Sequence, residues 1–163
     1  SRRDDRHSLE QVVADSNELL YRRTQGRKFA TMVVAEWNVA QSSITWVNAG
    51  HPPVVMWRDG EMETFAATGR PIGLLPDQTY GSLGSGLDPG DFILIYTDGV
   101  LEAGMASPGG EFGLDGLERC LRPGATAREL VAQVSDGLSA HLGEATPDDD
   151  VTILCARRLP PAG

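Results

Sequence analysis

Two places in the chain carry carboxylates where an apolar run meets a polar one. Asp98 ends the run FILIYTDG, and Asp148, Asp149 and Asp150 stand together just before VTILCA. Adjacent carboxylates repel one another and must be solvated or paired. Hard divalent cations such as Mg2+ and Mn2+ are the partners that carboxylate oxygens suit best. Asp98 at the end of one strand and Asp149 with Asp150 at the start of another converge if those strands are antiparallel neighbours. The C-terminal end of one then lies beside the N-terminal end of the other. Such a site would be a cation site. Each signal also has a plainer reading. Asp-Gly is a common turn, and three aspartates make an ordinary solvated acidic loop. On the residues alone, both readings stand.

No other chemistry competes. There is no G-x-S-x-G elbow, no Cys–His pair and no P-loop. Of His7, His51 and His141, only His51 follows a strand end, and a structural hydrogen-bonding role is expected for it. Cys120 and Cys155 lack metal-ligand spacing. Cys155 lies in an apolar run and is expected to be a buried, reduced thiol, which suits a cytoplasmic location. The net charge of −9 over 163 residues argues against nucleic acid as a partner and fits a cation-binding protein. The longest apolar run, FILIY, is strand-sized, so no membrane span is expected. No signal peptide is visible, and the absence of an initiator Met leads to the expectation that the chain is cut from something longer.

The elements that must position these residues follow from periodicity. Ser8 and Gln11 form a capping pattern, and Leu9, Val12, Val13, Leu19 and Leu20 recur at helical spacing, predicting a helix over 9–24. Strands are predicted at 29–37, 44–50, 54–58 and 61–66, with Asp59-Gly60 as a tight turn. The Gly- and Pro-rich stretch 68–90 reads as a surface excursion with one short strand near 79–87. The run 91–99 is apolar on both faces and should be a central strand. Helices are predicted at 112–121 and, capped by Thr126, through Leu142, and a last strand at 151–158. Strand meanders with segregated helices make an α+β fold in a single domain spanning 1–163, with 1–7 and 159–163 frayed.

NAGHPP (48–53), GRPIGL (69–74), LDPGDFILIYTDGVLEA (87–103), EFG (111–113) and DDVTIL (149–154) occur in this order. The series resembles the SpoIIE-like branch of the PPM-type, metal-dependent serine/threonine protein phosphatases, over about 8–158. The resemblance implies a sandwich of two antiparallel sheets flanked by helices. It also implies two Mn2+ or Mg2+ ions whose activated water attacks a phosphoserine or phosphothreonine. Asp98 and Asp149 would ligate one metal. Asp150 would be a direct or water-mediated ligand, and Gly99 of the Asp-Gly motif would belong to the cofactor-binding residues. No residue is assigned as a catalytic acid or base. The implied partner is a phosphorylated protein, an anti-anti-sigma factor being typical of the branch.

One departure matters. The family's earlier strand, with a Gly-Asp and a Gly-His-Gly type motif, supplies the aspartate that bridges both metals, and neither motif is found here. The chain is therefore expected to be the C-terminal majority of such a domain, with one metal or none and little or no activity by itself. The alternative is a non-catalytic module that docks partners. A strand that lacks its neighbour exposes an edge, so a homodimer is an expectation too.

Overall fold

The structure is a computed structural model that describes residues 7–107 and 109–159. The element order is α1 (Leu9–Thr24), β1 (Met32–Asn38), β2 (Ser43–Ala49), β3 (Val54–Arg58), β4 (Glu61–Phe65), β5 (Leu83–Gly86), β6 (Phe92–Tyr96), α2 (Asp98–Leu101), α3 (Gly113–Cys120), α4 (Ala127–Leu142) and β7 (Ile153–Arg157). Contacts divide the chain into two compact units. Of the described residues, one unit holds those up to His51 together with Ala66–Leu87; the other holds Pro52–Phe65 and those from Asp88 onward.

The first unit pairs α1 with an antiparallel sheet of order β1-β2-β5. Ser8 caps α1 by accepting a hydrogen bond from the Gln11 N–H at 3.3 Å, as the capping pattern predicts. The buried stripe of the helix is narrower than the apolar spacing suggests. Val13 is fully buried with Leu9, Ala14 and Leu20 around it, whereas Val12 and Leu19 are exposed. Val12 and Leu19 lie seven apart, on a stripe rotated about 100° from Val13 at 3.6 residues per turn. The polar member of the buried stripe is Asn17. Its amide donates to the Leu75 carbonyl at 3.0 Å and its oxygen accepts from the Gly73 N–H at 2.8 Å. One side chain thus fastens the glycine- and proline-rich excursion to the helix.

In the second unit the sheet order is β4-β3-β6-β7, all antiparallel. Asp59 and Gly60 turn the β3–β4 hairpin with φ of 51° and 88°, the pair of positive angles that a two-residue turn needs. β6 is central, as its doubly apolar run predicts. Phe92, Leu94 and Tyr96 pack into a core with Leu117 of α3 and Leu130, Val134 and Leu138 of α4. Thr126 and Glu129 form a full capping box on α4, and the Thr126 N–H that Glu129 accepts holds the Glu129 carboxyl below its usual range. α3 and α4 meet closely at Gly137, where a β-carbon would lie 2.2 Å from the Cys120 sulfur.

Antiparallel sheets with segregated helices are the α+β class that the sequence predicts. The main correction falls at the residue that matters most. The strand read as running through Asp98 stops at Tyr96, and Asp98 instead opens the single helical turn α2, with Thr97 at its cap. The apolar run carries no signal for that turn. It forms because Thr97 binds across to the Asp150–Thr152 segment and ends the ladder there. Other strands are shorter at their ends than their apolar runs: β1 begins at Met32, β5 covers only Leu83–Gly86 and β7 begins at Ile153.

Candidate metal centre

β6 and β7 are antiparallel neighbours, with Tyr96 opposite Ile153. The condition for bringing Asp98 toward Asp149 and Asp150 is therefore met. Thr97 makes the junction. Its N–H donates to the Thr152 carbonyl at 3.0 Å, its hydroxyl donates to the Asp150 carbonyl at 2.8 Å, and the same hydroxyl accepts from the Thr152 N–H at 2.9 Å. One residue beyond Asp98, a β-carbon at Gly99 would lie 2.6 Å from the Asp150 carbonyl oxygen and 3.1 Å from that of Asp149. Only glycine lets the two segments approach this closely. Gly99 thus has a packing reason to be where it is.

The carboxylates themselves are held locally. Asp98 Oδ1 accepts from the Gly99 N–H at 3.1 Å, and Asp149 Oδ1 accepts from the Asp150 N–H at 2.7 Å. Asp98 is the first residue of the single turn α2, and the Val100 N–H of that turn donates to the Thr97 carbonyl at 3.0 Å. The side chains open onto two recesses. Asp98 lines a cleft of about 750 Å³, and Asp148, Asp149 and Asp150 line a shallower one of about 460 Å³. Among the described residues, no three His, Cys, Asp or Glu side chains gather into one ligand cluster. The donors present are carboxylate and carbonyl oxygens, the chemistry that Mg2+ and Mn2+ select. They fit such a cation in kind, without forming a closed set.

The larger cleft adds residues outside the assigned ligand set. Glu102, Glu111, Asp115 and Arg119 line it with Asp98, over an apolar lining that includes Leu101, Met105 and Phe112. Glu111 lies in the EFG motif, so a signal for it existed. Asp115 and Arg119 are spaced as ordinary exposed positions of α3 and carry none. His51 takes the structural role expected of it. Its Nδ1 lies 3.0 Å from the Thr31 hydroxyl, and its backbone N–H donates to Oδ1 of buried Asn48 at 2.8 Å. Cys155 is partly buried against the core of the second unit, and burial pushes its thiol up to about 11. A thiol held that high stays protonated at neutral pH.

Residues 1–159 match the family described as Stage II sporulation protein E. The chain belongs to the SpoIIE family. Within it, the chain is 26% identical over 152 residues to the phosphoserine phosphatase RsbU of Bacillus subtilis, covering 91% of this chain and 44% of RsbU. The structure of the PP2C phosphatase domain and a regulatory-domain fragment of SpoIIE from Bacillus subtilis superposes with a TM-score of 0.78 at 17% identity, covering 94% of this chain and 45% of that one. RsbX in complex with magnesium superposes with a TM-score of 0.65 at 17% identity, covering 91% of this chain and 64% of that one. The fold is accordingly that of PP2C phosphatase domains. This SpoIIE-family chain spans between 20% and 44% of the length of the curated relatives it matches. None of its described helices is long and apolar enough to cross a membrane.

Proposed function

We propose that Asp98, Asp149 and Asp150 hold a divalent cation, Mg2+ or Mn2+, and that the chain works as part of a phosphatase domain releasing phosphate from phosphoserine or phosphothreonine on a protein. The observation that carries this reading is the β6–β7 junction, where Gly99 admits the Asp149 and Asp150 backbone to within van der Waals reach of the Asp98 turn. A phosphoserine phosphatase among the relatives and a magnesium complex among the PP2C folds support it.

A bound divalent cation would supply an activated water and neutralise phosphate charge. The chain's own residues have separate tasks. Thr97 and Gly99 lock the backbone of α2 against the segment before β7, which puts Asp98 and the Asp149–Asp150 pair on adjacent segments at one end of the sheet. The cleft beside Asp98, of about 750 Å³, would receive a substrate segment, and its Pro52, Leu101, Met105 and Phe112 would give that segment an apolar bed. Arg119 places a cation on α3 at the rim of an otherwise acidic cleft, where an anionic group can approach. A phosphorylated protein such as an anti-anti-sigma factor is the substrate class this reading favours.

A second reading, a partner-docking module without catalysis, is favoured by one observation: no three ligand side chains close into a cluster among the described residues. Phosphate release from a phosphoserine protein separates the two. On the phosphatase reading, the full-length protein releases phosphate only with Mn2+ or Mg2+ and loses this in Asp98→Asn, while residues 1–163 alone turn over weakly or not at all. Full-length protein that binds a phosphorylated partner but releases nothing with either metal would establish the docking reading instead.

A further inference from the structure

The wall of the Asp98 cleft is held from behind by a histidine that does not line it. His141, in the last turn of α4, places Nε2 2.9 Å from the Gly110 carbonyl oxygen. A carbonyl only accepts, so the ring carries its proton on Nε2. The same ring meets Phe112 edge-on, with centroids 5.5 Å apart and planes at 67°. Gly104 completes the contact from the other side. Its φ is +80°, and a β-carbon there would lie 2.9 Å from both His141 Nε2 and the Gly110 oxygen. Phe112 in turn donates its N–H to the Ala103 carbonyl at 2.9 Å. Gly110 and Phe112 flank Glu111, and Glu111 and Phe112 line the cleft beside Asp98.

We infer that His141 is a positioning residue: by holding Gly110 and Phe112 it sets Glu111 and the cleft wall against which a substrate polypeptide is seated. This role rests on the reading that the cleft receives the substrate protein. The hydrogen bond and ring contact of His141 fall on Gly110 and Phe112 rather than on Asp98, Asp149 or Asp150, so its removal should impair recognition of a protein substrate and spare a small one. A polar side chain that points away from a cleft is otherwise ordinary helix-end decoration. Here its hydrogen bond, ring contact and glycine-enforced close approach all fall on the same wall.

The experiment compares His141→Ala and His141→Gln in the full-length protein, with phosphocasein and p-nitrophenyl phosphate as substrates and Mn2+ present. In His141→Ala, KM for phosphocasein should rise about fivefold, the worth of one lost positioning hydrogen bond, while kcat/KM for p-nitrophenyl phosphate stays unchanged. His141→Gln, whose amide can donate to the Gly110 carbonyl, should restore most of the phosphocasein KM. Equal losses on both substrates, or no loss on either, would overturn the inference. Amide hydrogen exchange probes the same contact without turnover. Exchange at Gly110–Phe112 should quicken in His141→Ala, and unchanged exchange there would also overturn it. Wild-type protein that hydrolyses neither substrate would count against the phosphatase reading, and the exchange measurement would then decide whether His141 holds the wall.

Discussion

A β-carbon on Gly99 would stand 2.6 Å from the backbone oxygen of Asp150, closer than real β-carbons come to backbone. Two effects oppose each other in Gly99→Ala. Alanine gains up to about 1 kcal/mol of helix propensity in α2. Overpacking against a backbone group that cannot swing aside costs about 1–3 kcal/mol. The clash should win, because α2 is a single turn and gains little from propensity. Urea denaturation is expected to show Gly99→Ala less stable by about 1–2 kcal/mol, with weakened Mn2+ binding. A stabilised variant would mean that the two segments part easily and that their approach is not specified.

Asn17 offers a test in the other unit. It is buried, and its side chain satisfies both the Gly73 N–H and the Leu75 carbonyl. Asn17→Ala removes both bonds and leaves a buried N–H without its acceptor, which should cost about 2–4 kcal/mol. Asn17→Asp keeps the acceptor but forfeits the donor and buries a charge, so it should be no milder. Thermal unfolding followed by circular dichroism measures both. If either variant melts with the wild type, the tie between α1 and the 69–75 segment is dispensable.

Alkaline pH reads the core of the second unit. Burial pushes Cys155 from 9.0 up to about 11 and Tyr96 from 10.0 up to about 12. For each, the folded protein keeps its proton longer than the unfolded chain does. The stabilising contribution is therefore complete below the unfolded pKa and is lost as pH rises through the folded one. Stability should hold to about pH 9 and then fall, first through Cys155 and then through Tyr96. Cys155→Ala should flatten the decline between about 9 and 11, and Tyr96→Phe that between about 10 and 12. The Tyr96 hydroxyl is buried without a hydrogen-bond partner among the described residues, so Tyr96→Phe should also be neutral or slightly stabilising at about pH 7. Denaturant melts at half-unit pH steps test both points. A parallel decline in wild type and both variants would show that neither group drives it.

Much of this arrangement is legible in the sequence. The α1 boundaries, the Asp59-Gly60 turn and the central place of β6 follow from local rules of capping, turn chemistry and burial on both faces. The relation between Asp98 and Asp149–Asp150 is legible only as a condition on strand pairing, and the register of β6 with β7 meets it. What escapes depends on contacts distant in sequence. The α2 turn arises because Thr97 binds residues more than fifty positions away, so an apolar pattern read locally carries the strand too far. Asp115 and Arg119 escape because nothing marks an exposed helical position as facing a cleft. Val12 and Leu19 pass for core because apolarity at helical spacing does not say which stripe is covered.

The most direct test of the cation site is paramagnetic broadening of backbone amide resonances by substoichiometric Mn2+. The expected result is broadening concentrated at Thr97–Glu102 and Asp148–Thr152, reversed by excess Mg2+ and strongly reduced in Asp98→Asn and in Asp149→Asn. Broadening centred elsewhere, or unchanged in those two variants, would contradict the assignment of Asp98, Asp149 and Asp150 as the cation's ligands.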